Sequence, residues 1–176
     1  TAVSLQGSLQ SFRYWQEVTH FTHYTIAHSH LGVYAFATMI AFGAIYYIMP
    51  RVTDWEWGSK RLVSLHFWTT GLGIGAYFTA LTIGGVIQGF QLLDPDVAFL
   101  QIVEDTKPWL IVRSVSGTLM TVGHLVFAYL LARIVMRSGE RPEGPTYFHP
   151  VPEGTFAHVG GDGSRSVPAS SKPDAS

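Results

Sequence analysis

One stretch decides the fold of this chain: residues 20–50, which read HFTHYTIAHSHLGVYAFATMIAFGAIYYIMP. From Val18 to Pro50 the sequence contains no Asp, Glu, Lys or Arg. A helix that crosses a bilayer needs roughly 20 predominantly apolar residues, so this segment is long enough to span a membrane. Because helices tend to end before a proline, we predict a first transmembrane helix over about residues 22–49.

Two histidines, His28 and His30, lie two positions apart in this predicted helix. Successive residues of an α-helix turn by about 100°, so the two imidazoles project to opposite sides of the helix. They cannot bind one metal ion together, but each can hold a separate metal, as two flat macrocycles beside one helix would require. Ser29 between them is small enough to let such groups approach the backbone. The alternative is that each ring is hydrogen-bonded to a neighbouring helix of the bundle.

Two further apolar runs predict two more spans. Residues 62–93 contain no charged side chain, and we place a second helix over about residues 61–90. This helix contains two pairs of glycines four residues apart, which are typical of close helix contacts: Gly71 with Gly75 and Gly85 with Gly89. The third helix is predicted over about residues 108–136, with Pro108 in its first turn and the acidic residues 91–107 as the connecting loop.

The two ends of the chain differ from the apolar middle. Residues 1–21 are mixed and aromatic, which is typical of an external loop or a short interfacial helix. Residues 138–176 are rich in proline and lack apolar periodicity, so we predict a disordered tail. The predicted fold is therefore all-α: an integral membrane helix bundle of three transmembrane helices, followed by this tail.

The composition narrows the class of protein. Only 13% of the residues are charged, about half the ~25% of an ordinary soluble protein, which favours a membrane protein. Cysteine is absent, so a metal must bind to histidine, carboxylate or backbone oxygen. The net charge of −1 and the lack of a basic run give no case for nucleic-acid binding. With no initiating methionine and no signal-peptide pattern, we expect a piece of a longer or processed protein.

The distribution of positive charge predicts an orientation. Arginine and lysine favour the cytoplasmic side of short loops. They mark the first turn and the exit of the third helix as cytoplasmic: Arg51, Lys60, Arg61, Arg133, Arg137 and Arg141. The histidine pair, His20 and Arg113 then all fall at the outer end. A cation at Arg113 needs an anion inside the membrane, which haem propionates would supply, or else its side chain extends to the interface.

Several landmarks, in order, resemble the catalytic subunit of the haem–copper oxygen reductases, most closely subunit I of cbb3-type cytochrome c oxidases. They are the run from His20 to His30, Met49-Pro50-Arg51, His66-Phe67-Trp68 at the start of the second helix, Gln88-Gly89 at its end and Val112-Arg113. The resemblance covers about residues 11–137. It implies that the three predicted helices are the last three of the twelve in that subunit.

The resemblance also implies roles for individual residues. His28 is similar to the axial ligand of the high-spin haem, where dioxygen is reduced, and His30 to one axial ligand of the low-spin haem. His20 and Arg113 match residues near the haem propionates. His23 stands where some relatives carry an acidic residue. The second low-spin ligand, the three copper-binding histidines and the cross-linked tyrosine belong to earlier helices, so we expect this fragment to be inactive alone.

The implied cofactors are two b-type haems, one high-spin and one low-spin, and a copper ion ligated by residues upstream of this chain. The implied reaction reduces dioxygen to water with electrons from c-type cytochrome subunits of the same complex, coupled to proton translocation. The implied location is the bacterial inner membrane, with membrane lipid around the helices and the histidine pair towards the periplasm. Three alternatives stay open: the large subunit of a nitric oxide reductase, with iron in place of copper, a non-enzymatic dihaem membrane cytochrome, and a transporter segment with polar histidines and no haem.

Overall fold

A computed structural model of the chain describes residues 2–138, and its regular elements there are all helical. Two short helices come first, α1 (Ala2–Gln10) and α2 (Arg13–Thr19). Three long helices follow, which we call the first span (His23–Thr53), the second span (Lys60–Leu93) and the third span (Phe99–Val135). Each is long and apolar enough to cross a membrane, which confirms the predicted fold class. After its first residue, the tail predicted over residues 138–176 lies outside the described residues.

The first span changes its winding directly after the histidine pair. It is α-helical over His23–His30, π-helical over Leu31–Thr38, here called the π segment, and α-helical again over Met39–Thr53. At the junction the amide of Leu31 is shared between the carbonyl oxygens of Ala27 and His28. Runs of π-helix are rare in proteins and occur frequently at functional sites.

The first span does not end before Pro50 as predicted, but continues to Thr53. A proline inside a helix leaves the carbonyl four residues earlier without its amide donor. That carbonyl belongs to Tyr46, and the indole Nε1 of Trp57 donates a hydrogen bond to it at 2.9 Å. The residue that caps this end is Asp54, whose φ of 55° is a left-handed conformation that aspartate tolerates.

The third span begins at Phe99, so the start predicted at Pro108 is wrong. The connecting loop comprises only residues 94–98 rather than 91–107. Ile102 and Thr106 lie four residues apart on one helix face and are buried, whereas the acidic side chains of this stretch point outward. One of these, Asp105, accepts a hydrogen bond from Gln91 Nε2 at 2.7 Å. Residues 99–107 thus form an amphipathic beginning of the third span, which their charge content alone does not reveal.

The second span packs against both other spans through glycines. A Cβ atom at Gly73 would lie 2.5 Å from Met120 Cγ of the third span, and one at Gly85 would lie 2.1 Å from the backbone nitrogen of Tyr24. The predicted close contacts are therefore confirmed for Gly85, and for Gly89, which meets α2. Gly71 and Gly75 face open space within residues 2–138. A buried cluster joins all three spans: Ala27, Ile74, Tyr77, Leu81 and Met120.

Candidate functional site

His28 and His30 lie on regular α-helical backbone and contact different helices. The Nδ1 atom of His28 is 3.2 Å from Oε1 of Gln6, a buried residue of α1. The Nε2 atom of His30 is 3.3 Å from the hydroxyl oxygen of Tyr77 on the second span, and the two rings are 4.8 Å apart between centroids. The two imidazoles therefore diverge, as their spacing of two residues on a helix requires.

The hydrogen bonds at Nδ1 define which ring nitrogen is available to a metal. His28 Nδ1 faces the amide oxygen of Gln6, and His30 Nδ1 lies 2.9 Å from the carbonyl oxygen of Ile26. Both partners are acceptors, so we assign the ring hydrogen to Nδ1 in each case. Each Nε2 then carries a lone pair, which is the usual arrangement of a metal-binding histidine. In His30 this lone pair accepts a hydrogen bond from the Tyr77 hydroxyl.

Among residues 2–138, the other two predicted site residues, His20 and Arg113, form no hydrogen bond with the pair. His20 is exposed between α2 and the first span, where its Nδ1 accepts from Gln16 Nε2 at 2.9 Å. Arg113 is half-buried on the third span and forms no hydrogen bond or ion pair with residues 2–138. It lies between Trp109 and Ser116, which contact Gly84 and Gly73 of the second span. Arg113 is therefore level with Tyr77 and His30, whereas His20 is not brought to them.

Gln88 anchors the beginning of the first span, a role that the sequence did not reveal. Its Oε1 accepts from the backbone N–H of His23 at 3.0 Å and from His23 Nδ1 at 2.6 Å. Thr22 caps the same helix end by accepting from the backbone nitrogen of Tyr24. These bonds fix the direction in which the helix leaves towards His28.

Two tyrosine–histidine pairs lie beyond the site, towards Pro50. The hydroxyl of Tyr34 is 2.8 Å from His124 Nε2, and that of Tyr46 is 2.9 Å from His66 Nδ1. Phe42 contacts both imidazoles, with centroid distances of 4.6 Å to His66 and 5.7 Å to His124. The sequence predicts that His66 and His124 belong to packing or proton networks, with structural roles favoured, and does not reveal their tyrosine partners.

Comparison with known proteins identifies a protein family that matches the chain. The family described as "Cytochrome C and Quinol oxidase polypeptide I" matches residues 1–119.

The chain belongs to this family.

The predicted resemblance to subunit I of the haem–copper oxidases is therefore confirmed.

Curated relatives are named as subunits of cytochrome c oxidases. The chain is 33% identical over 148 residues to "Cytochrome c oxidase subunit 1 homolog, bacteroid" of Bradyrhizobium diazoefficiens, a match that covers 78% of the chain and 26% of that protein. It is 33% identical to "Cytochrome c oxidase subunit 1" of Rhodobacter capsulatus, over 73% of the chain and 25% of that protein. It is 28% identical to "Cbb3-type cytochrome c oxidase subunit CcoN1" of Stutzerimonas stutzeri, a match that covers 75% of the chain and 29% of that protein. The chain thus spans about a quarter of the length of these relatives.

Cytochrome oxidase polypeptide I proteins are oxidoreductases with haem and copper cofactors. The donor set of this chain fits haem, because neutral imidazole with its second nitrogen hydrogen-bonded is a common axial ligand of haem iron. Within residues 2–138, no three side chains of His, Cys, Asp or Glu converge, so these residues alone do not form a three-histidine copper site.

Proposed function

We propose that this chain is the C-terminal part of the catalytic subunit of a terminal respiratory oxidase. In this proposal His28 is the axial ligand of the high-spin b-type haem, and His30 is one axial ligand of the low-spin b-type haem. The divergence of the two rings supports the proposal, because one helix then holds two separate cofactors. The bound haems supply the iron centres for electron transfer and for the reduction of dioxygen to water.

The residues around the pair hold these ligands in place. Gln6 and the carbonyl of Ile26 accept the Nδ1 hydrogens, which fixes each ring and raises the basicity of Nε2. Iron bound to His30 Nε2 would take the place of the hydrogen bond between that atom and the Tyr77 hydroxyl. Arg113, level with His30 inside the membrane, supplies a positive charge for haem propionates. We assign His20 to the propionate side on the resemblance alone.

The remainder of the machinery lies outside this chain. Copper and the second low-spin ligand come from upstream residues, so the 176-residue piece is inactive by itself. The names and sources of the relatives support electron delivery from c-type cytochromes of one complex in a bacterial inner membrane. The arginine and lysine residues at the Pro50 end support a cytoplasmic location of that end, with the histidine pair towards the periplasm. Proton translocation across the membrane is part of the proposal on the resemblance alone.

Separate substitution of the two histidines in the full-length subunit tests the proposal. We expect His30→Ala to remove the low-spin haem signal and to keep carbon monoxide binding to the reduced protein. His28→Ala should do the reverse. Ser29→Ala is the matched control, because within residues 2–138 its hydroxyl bonds only to the Thr25 carbonyl of its own helix. Loss of the same spectral species in both histidine variants would disprove the assignment to two haems.

The same samples separate the alternatives. A dihaem relay with both irons fully ligated shows no spectral shift with carbon monoxide, whereas an oxidase does. A nitric oxide reductase contains additional iron and no copper in metal analysis of the purified full-length subunit.

A further inference from the structure

Within residues 2–138, the π segment follows His30 directly and contributes no buried residue, and Tyr34 and Ala35 pack at the edge of the buried cluster that contains Ala27 and Tyr77. None of its eight residues, Leu31–Thr38, is buried, and Val33 and Phe36 are 68% and 59% exposed. A π-helix has more residues per turn than an α-helix, since its hydrogen bonds run from i to i+5. A change of winding here therefore rotates the part of the helix before it, which contains His28 and His30, relative to the part after it.

One side-chain hydrogen bond ties this segment to another helix. The Tyr34 hydroxyl and His124 Nε2 of the third span are hydrogen-bonded at 2.8 Å. The segment's other side-chain bond, from Thr38 Oγ1 to the Val33 carbonyl at 2.9 Å, stays within the segment. Among residues 2–138, Tyr34–His124 is thus the only side-chain hydrogen bond between the π segment and a neighbouring helix. Phe42 also packs against the His124 ring, at 5.7 Å between centroids.

We infer that Tyr34 and His124 are a positioning pair for His30. Tyr34 lies about one turn after His30, so fixing the angular position of Tyr34 also fixes the direction in which His30 points. The bond holds the π segment in one winding and thereby sets the orientation of the His30 ring towards its ligand. This inference rests on the proposed function, in which His30 binds the low-spin haem.

The chain contains a matched control for this inference. Tyr46 and His66 form the same kind of bond at 2.9 Å, also between the first span and a neighbouring span. Tyr46 lies sixteen residues after His30, in the α-helical part beyond the π segment. Tyr34→Phe and Tyr46→Phe therefore remove the same hydroxyl group, but only Tyr34→Phe loosens the segment next to the ligand.

The experiment uses the full-length subunit with Tyr34→Phe, His124→Leu, the double variant and Tyr46→Phe. One readout is the electron paramagnetic resonance signal and midpoint potential of the low-spin haem. The other is hydrogen exchange of residues 31–38, which does not depend on activity. We expect Tyr34→Phe to shift the low-spin signal and to speed exchange about 2- to 10-fold, the effect of losing one hydrogen bond. His124→Gln, which keeps an acceptor, should restore part of the signal relative to His124→Leu.

Two outcomes decide the inference. It holds if the double variant resembles either single variant and Tyr46→Phe leaves both readouts unchanged, at unaltered total haem. It is overturned if Tyr34→Phe keeps the wild-type signal and exchange rate, or if Tyr46→Phe shifts them equally. Failure of the proposed function is distinguishable, because His30→Ala would then retain the low-spin signal.

Discussion

Replacement of Gly85 by alanine is expected to force the first and second spans apart. The new methyl group would lie 2.1 Å from the Tyr24 nitrogen and 2.8 Å from the His23 carbonyl carbon, whereas ordinary contact begins at 3.4 Å. Both opposing atoms belong to the backbone, so no side-chain rotation relieves the overlap. The helices must separate by about 1.3 Å locally, which also strains the two hydrogen bonds from His23 to Gln88. Overpacking of this kind costs ~1–3 kcal/mol.

The assay is equilibrium unfolding of the full-length subunit in detergent, followed by circular dichroism. Gly75→Ala is the control on the same span, because a methyl group there meets nothing within 4 Å among residues 2–138. Since alanine favours a helix by up to ~1 kcal/mol over glycine, Gly75→Ala should be neutral or stabilising. Gly85→Ala should instead lower the free energy of unfolding by ~1–3 kcal/mol. Equal stability of the two variants would refute the proposed close backbone packing.

Two further predictions concern single hydrogen bonds. Gln6→Leu removes the hydrogen-bond acceptor for His28 Nδ1. Because the imidazole then donates less electron density to the iron, the midpoint potential of the high-spin haem should rise by roughly 20–60 mV in a redox titration. Gln6→Glu should lower it, and an unchanged potential in both variants would contradict the assigned bond. Trp57→Phe leaves the Tyr46 carbonyl without a donor and should destabilise the subunit by ~1–3 kcal/mol in thermal unfolding. Trp68→Phe, at a position 57% exposed, is its control, and equal melting temperatures would count against the role of Trp57.

The features that sequence predicted are those set by local physics. The uncharged run from Val18 to Pro50 predicts a span because the cost of burying charge in lipid depends on each residue separately. The divergence of His28 and His30 follows from the rotation per residue of the α-helix on which both residues lie. Both predictions required only the type and spacing of residues.

The features that sequence missed depend on which distant residue lies nearby. Pro50 is a strong local stop signal, but Trp57 supplies the missing donor to Tyr46 from the following turn, so the helix continues. Likewise, nothing in the pattern of α1 indicates that Gln6 meets His28, because twenty-two residues and two turns separate them. The sequence likewise does not show that Tyr77 contacts His30 or that Gln88 contacts His23, because both contacts depend on how the second span packs against the first.

The two connections between the spans differ in how they tolerate engineering. In residues 54–59, Trp57 is 5% exposed and its indole completes the helix that precedes it, so an inserted epitope would detach that side chain from Tyr46. Residues 94–98 are largely exposed and make one side-chain hydrogen bond, within the loop itself, from the Asp96 amide to Asp94. A fluorophore or an affinity tag for purification therefore belongs at Pro95, where it leaves both helix ends intact.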